Sequence, residues 1–129
     1  MGLRLITGMY QAIGAFAAAG NNAIVDDVIW DRRVLMAVVE ALHHLPVWFI
    51  GLRCPLAVAE QGERDREERR APGGGRFFHG RVHAHGLYDL EVDTTAHTPE
   101  ECARQIRQHV QTGPAPSAFG RLREQLVEQ

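Results

Sequence analysis

Six consecutive apolar or glycine residues, Val47-Trp48-Phe49-Ile50-Gly51-Leu52, restrict what this chain can become more than any other feature of it. A β-branched and aromatic run without polar alternation reads as a strand covered on both faces, the pattern of a parallel sheet buried between helices. The residues ahead of it agree. Ala23-Ile24-Val25 is a short apolar run ending in Asp26-Asp27, a buried strand whose C-terminal end presents carboxylates. Between the two runs, Asp31 can cap a helix with Val34, Leu35, Val38, Val39 and Leu42 as its apolar stripe, ending before Pro46. Strand, helix and strand in immediate succession predict a right-handed βαβ unit.

The remaining segments extend this layout. Leu3 to Ala19 places Leu3, Ile6, Met9, Tyr10, Ile13 and Phe16 at helical spacing, and Gly20 with Asn21-Asn22 is a helix stop. Pro55 opens a further helix that becomes almost wholly polar from Glu60 to Arg70, as a helix leaving the body of the domain does; Ala71-Pro72-Gly73-Gly74-Gly75 breaks it as a hinge. Leu87 to Thr94 alternates strictly, which predicts a strand with one polar face. Thr98-Pro99-Glu100-Glu101 is a capping box, followed by Cys102, Ile106 and Val110 on the buried side of a helix. Gly113-Pro114-Ala115-Pro116 is a linker, and the weakly amphipathic Phe119–Val127 is open to fraying. Trp30, Trp48 and Phe49 suit a core or a pocket wall. The order is α-β-α-β-α-loop-β-α, an α/β layout.

Composition removes several classes of function. With 129 residues and 45% hydrophobic side chains, the chain is one small domain or part of a larger one, and it can bury a core. Fourteen basic against sixteen acidic residues, a formal charge of -2, give no electrostatic case for nucleic acid. No apolar run reaches the roughly 18 residues a membrane helix needs, and the start lacks signal-peptide features. The expectation is a cytoplasmic protein without a membrane partner. Cys54 and Cys102 are too far apart for a metal knuckle or redox motif, so both are read as reduced thiols. All fourteen basic residues are arginine; without a lysine, neither a Schiff base nor a phosphate-loop lysine is available. Ser117 is the single serine, which argues against a serine nucleophile.

Three constellations can carry chemistry, each beside a plainer account. Asp26-Asp27 and Asp93 stand at proposed C-terminal strand ends, where ligands bind in open parallel sheets, although such residues also cap turns and helices. Arg64, Arg66, Arg69 and Arg70 can clamp phosphate with their guanidinium forks, or pair with neighbouring acids on a solvated helix. His83-Ala84-His85, two imidazoles on one face of a strand with His79 and His97 nearby, can hold zinc or nickel or be ordinary loop histidines.

Taken in order, these stretches resemble the chloramphenicol phosphotransferase family, small P-loop kinases that phosphorylate the antibiotic with ATP. The resemblance spans about residues 3–111. It rests on Ala19-Gly20, Ile24-Val25-Asp26-Asp27-Val28, Val47 to Cys54, and Val58-Ala59-Glu60 with Glu63, Arg66 and Arg69 or Arg70. It continues through Val82-His83, Tyr88 to Thr95 and Pro99-Glu100-Glu101-Cys102-Ala103. It implies a three-layer parallel α/β sheet of P-loop kinase type, incomplete here. Strands three, four and five remain, with their flanking helices and a lid at about residues 55–82, while the central P-loop strand is missing. Residues 1–112 are then the C-terminal part of a kinase-like domain and 113–129 a linker and tail.

Family members begin with a strand and a Gly-rich loop ending in Gly-Lys-Ser/Thr, and neither occurs in these residues. Gly62 also stands where the lid carries an arginine, and Glu67-Glu68 replaces Gly-Asp. The resemblance implies ATP and Mg²⁺ in the intact protein, with a small-molecule hydroxyl such as that of chloramphenicol as acceptor. It implies Asp26 or Asp27 near the metal and acceptor, and Arg66 with Arg69 or Arg70 as lid clamps stabilising the transferring phosphoryl group. Arg53 would face phosphate, and Thr94, Thr95 and His97 would border the base pocket. The expectation is a fragment, or a decayed or mis-started kinase, inactive and marginally stable alone and self-associating through open strand edges. Alternatives are a P-loop kinase with another hydroxyl acceptor, a non-catalytic interaction module completed by a partner chain, and a metal-binding protein using His83, His85 and nearby acids.

Overall fold

The computed structural model describes residues 2–54, 61 and 83–128. In chain order it contains α1 (Leu3–Ala18), α2 (Arg32–Leu42), β1 (Ile50–Arg53), β2 (Leu90–Asp93), α3 (Pro99–Thr112) and α4 (Ala118–Glu128). α1 stops where its sequence says: Gly20 takes φ +100°, a conformation glycine adopts without strain, and the Asn21 amide donates to the Phe16 carbonyl at 3.0 Å. Asp31 caps α2 by accepting the Arg33 N–H at 2.7 Å. α3 begins with the expected reciprocal box, in which Thr98 Oγ1 accepts the Glu101 N–H and Glu101 accepts the Thr98 N–H, both at 3.2 Å.

The core forms where α1, α2 and α4 meet. Tyr10, Leu35, Val38, Val39, Leu42, Phe119 and Leu122 are all buried there. Each such aliphatic side chain withdrawn from water contributes about 1.5–3 kcal/mol before chain entropy is counted. The segment left open to fraying is therefore a docked helix. Ala118, Phe119 and Leu122 are buried and Leu126 packs on the core, while Val127 stays exposed, and a remote side chain completes the helix start. Asp89 accepts the Ser117 and Ala118 N–H groups through one carboxylate oxygen, at 2.7 and 3.0 Å. Its other oxygen accepts the Phe49 N–H at 2.8 Å, and its own N–H donates to the Phe49 carbonyl at 2.8 Å.

β1 and β2 pair in parallel with Ile50 opposite Leu90 and Arg53 opposite Asp93. Gly51 is buried against the Tyr88 ring, from which a Cβ at that position would lie only 2.7 Å. Of the six-residue apolar run, Ile50 to Leu52 join the ladder, and Val47 to Phe49 lead into it without ladder pairing.

Ala23-Ile24-Val25 is not a strand. Ile24 is 99% exposed, and Val25, Val28 and Trp30 also face solvent. An extended segment becomes a strand only when a neighbour supplies the other half of its ladder, and among the described residues none lies beside it. The βαβ unit expected around α2 is consequently absent: α2 leads from irregular chain into β1. Trp30 is likewise an exposed ring rather than core. His83 to His85 form a turn rather than a strand. Apart from Gln61, which is helical and exposed, the expected lid helix, its hinge and His79 lie outside the described residues.

Candidate functional site

Because β1 and β2 run in parallel, their C-terminal ends open on one edge, and the sequence places polar groups there. Arg53 Nε donates to Glu91 Oε1 at 2.6 Å, and its guanidinium lies 5.9 Å from the Tyr88 ring centre. The Arg53 carbonyl accepts the Thr94 N–H at 2.9 Å and the Thr94 hydroxyl at 3.1 Å. Asp93 closes the following turn by accepting the Thr95 hydroxyl at 2.6 Å and the Thr95 and Ala96 N–H groups at 2.8 and 3.3 Å. These bonds, the Thr95 hydroxyl foremost, hold the Asp93 carboxyl below its usual range. His97 Nδ1 lies 3.5 Å from Glu101 Oε2. The structure thus gathers Arg53, Thr94, Thr95 and His97 around the β2–α3 turn, while Asp93 serves as a turn cap.

The aspartate pair divides. Asp27 Oδ2 accepts the Tyr10 hydroxyl at 2.6 Å, and Asp27 Oδ1 accepts the Val28 N–H at 2.8 Å. Tyr10 is 2% exposed, and burial first, then the Asp27 bond, raises its phenol above the ordinary value. Asp27 is therefore anchored to the core through α1. Asp26 is exposed at the rim of an open, otherwise apolar groove of about 500 Å³, lined by Met9, Ile13 and Phe16 of α1 and by Ala23, Ile24 and Val25. No hydrogen bond or ion pair joins the Asp26-Asp27 region to the Arg53–Thr95 region among the described residues. Arg64, Arg66, Arg69 and Arg70 lie outside those residues.

One cluster had no sequence signal beyond its residue types. The His85 ring stacks on Phe49 with centres 5.1 Å apart and meets Tyr88 edge-on at 4.6 Å; Phe49 in turn packs against Phe119 at 5.0 Å. His83 Nδ1 is 2.6 Å from the Tyr88 hydroxyl, and the Leu87 N–H donates to His85 Nδ1 at 3.0 Å. Burial pushes the Tyr88 phenol up to about 12. Burial lowers the His85 pKa, and the nearby positive charges of His83 and Arg53 lower it further. An aromatic pair recurring near an HxH triplet is the only hint the sequence offered. Among the described residues, no group of His, Cys, Asp or Glu is arranged to hold a metal ion.

These residues do not by themselves fit a nucleotide triphosphate. The sequence has no lysine, Arg53 is already paired with Glu91, and both Asp27 oxygens are engaged.

An α/β protein with parallel strands and a polar turn beyond their C-terminal ends is what the fold and this edge define. Comparison with known proteins narrows that class. The family model for chloramphenicol phosphotransferase-like proteins matches residues 3–111, and the chain belongs to that family. Proteins named "Putative O-phosphotransferase" from two strains of Mycobacterium tuberculosis are each 38% identical over 120 residues. The match covers 92% of this chain and 52% of each relative, so the chain spans about half the length of the curated relatives it matches. No solved structure matches. No helix among the described residues is long and apolar enough to cross a membrane.

Proposed function

We propose that this chain carries the acceptor and lid portion of an ATP-dependent O-phosphotransferase of P-loop kinase type, which transfers phosphate to the hydroxyl of a small molecule such as chloramphenicol. The family match over residues 3–111, together with relatives named for phosphoryl transfer to oxygen, carries this reading. In it Asp26, exposed and without a hydrogen-bond partner among the described residues, faces the acceptor and metal. Asp27, tied to Tyr10, holds that segment against α1. Arg66 with Arg69 or Arg70 would clamp the transferring phosphoryl group, and Thr94, Thr95 and His97 would border the nucleotide base. The phosphate-gripping loop is not among these 129 residues, and without a lysine nothing here replaces it.

The chain alone should therefore give no phosphorylated chloramphenicol with ATP and Mg²⁺ by mass spectrometry. Fused behind a strand and loop ending in Gly-Lys-Ser/Thr taken from a relative, it should give product, and Asp26→Asn should abolish that product. Product from the unfused chain would overturn the incomplete-site reading. No product from the fusion with chloramphenicol, but product with another hydroxyl compound, would place the chain among kinases with a different acceptor. A second reading, a non-catalytic interaction module, is favoured by the exposed apolar residues Phe16, Ile24, Val25 and Trp30.

A further inference from the structure

Arg53 ends β1 with its guanidinium held on two sides and open on the third. The ion pair with Glu91 takes up Nε alone, at 2.6 Å, and the Tyr88 ring centre lies 5.9 Å from the guanidinium carbon. Nη1 and Nη2 donate to nothing among the described residues, so the two-nitrogen edge that matches an oxyanion stays open. Asp93, in register with Arg53, is turned into the Thr95–Ala96 turn instead. The ring beside Arg53 is fixed on every side the structure describes. It packs on Phe49 with centres 4.9 Å apart, meets His85 edge-on at 4.6 Å, and its hydroxyl is 2.6 Å from His83 Nδ1. β1 itself makes room for it at Gly51, where a Cβ would lie 2.7 Å from the ring. A glycine inside a strand weakens the strand and marks a close approach that a side chain would prevent. An ion pair between half-exposed Arg53 and Glu91 contributes little to stability. Stability alone therefore does not account for a strand glycine and a clamped ring at this place.

We propose that Tyr88 is a positioning residue, whose ring, with Glu91 on Nε, aims the Nη1 and Nη2 edge of Arg53 at a phosphate group beyond the C-terminal end of β1, beside Thr94 and Thr95. An arginine side chain is long and rich in rotamers, and a fork held in place before the anion arrives loses less freedom on binding it. The inference rests on the phosphotransferase reading, in which Arg53 is expected to face phosphate, and adds what aims it.

The test follows the Arg53 Nε–H signal and the Thr94 and Thr95 amides of the full chain by nuclear magnetic resonance during titration with pyrophosphate. The expected result is a saturable shift of all three, with the amide shifts lost in Arg53→Lys. Tyr88→Leu should weaken binding about fivefold, while Tyr88→Phe, which keeps the ring face, should stay within about twofold of the parent. Glu91→Gln keeps an acceptor for Nε and removes a negative charge beside the anion, so it should bind about threefold tighter, a gain that a merely structural cross-strand pair does not give. No shift at Arg53, or equal binding by a folded Tyr88→Leu chain, overturns the inference. Where Tyr88→Leu does not fold, the parent decides. The upfield ring-current shift of the Arg53 side-chain protons should persist in the pyrophosphate complex, and its loss would mean that the anion draws Arg53 off the ring, which overturns the inference. Binding as expected in a chain whose fusion makes no product leaves the Tyr88 platform standing and removes the phosphotransferase reading. An active fusion that Tyr88→Leu leaves unchanged does the reverse.

Discussion

At the scale of single residues, Asp89 does more for the fold than any of the aspartates with a proposed chemical role. One side chain receives N–H groups from the approach to β1 and from the first turn of α4. Asp89→Ala leaves three N–H donors without an acceptor and should lower stability by about 2–4 kcal/mol in urea unfolding, the range for losing several hydrogen bonds to a charged group. His85 sets a pH dependence. Its folded pKa is depressed below 6.5, so between the two values the unfolded chain binds the proton and the folded one does not. Its stabilising contribution is thus complete above 6.5 and is lost as pH falls through that value toward the folded pKa. Melting temperature should fall on acidification from neutrality to about pH 5, and His85→Asn should flatten that slope. Asp31, Asp93 and Glu101, all held below their ordinary values, add a second loss only at lower pH, starting as the pH falls below 4.5, the ordinary value for Glu101.

At the scale of elements, what could be read in advance was what neighbours in sequence determine. Gly20 ended α1, Asp31 capped α2 and Thr98 with Glu101 opened α3, because each signal and its partner sit within one turn. Thr98→Ala should therefore cost about 1 kcal/mol, measured by thermal unfolding, with no change at β1. The failures share the opposite origin. Ala23-Ile24-Val25 has the composition of a strand, but pairing is decided by a partner that composition does not name. α4 looked like a tail because its moment is spread over few apolar residues, and its cap, Asp89, lies 28 residues upstream. The candidate site was legible in part for the same reason. The Arg53–Thr94–Asp93 turn follows from where strands end, whereas the Tyr10–Asp27 bond joins residues 17 apart and gives no local sign.

At the scale of the whole molecule, apolar residues fall into two populations with opposite consequences. Leu122 is 1% exposed inside the α1–α2–α4 core, and Leu122→Ala should cost about 2–5 kcal/mol. Ile24 is 99% exposed, so Ile24→Asp should change the unfolding free energy by no more than about 0.5 kcal/mol and should raise solubility. Equal costs for the two substitutions, by chemical denaturation, would mean that Ile24 is sheltered in solution. The remote capping of α4 bears finally on the order in which this molecule is made. The side chains that shut its hydrophobic interior leave the ribosome after all the other described elements. The first two helices and the paired strands must therefore wait, partly wetted, until Leu122 is delivered.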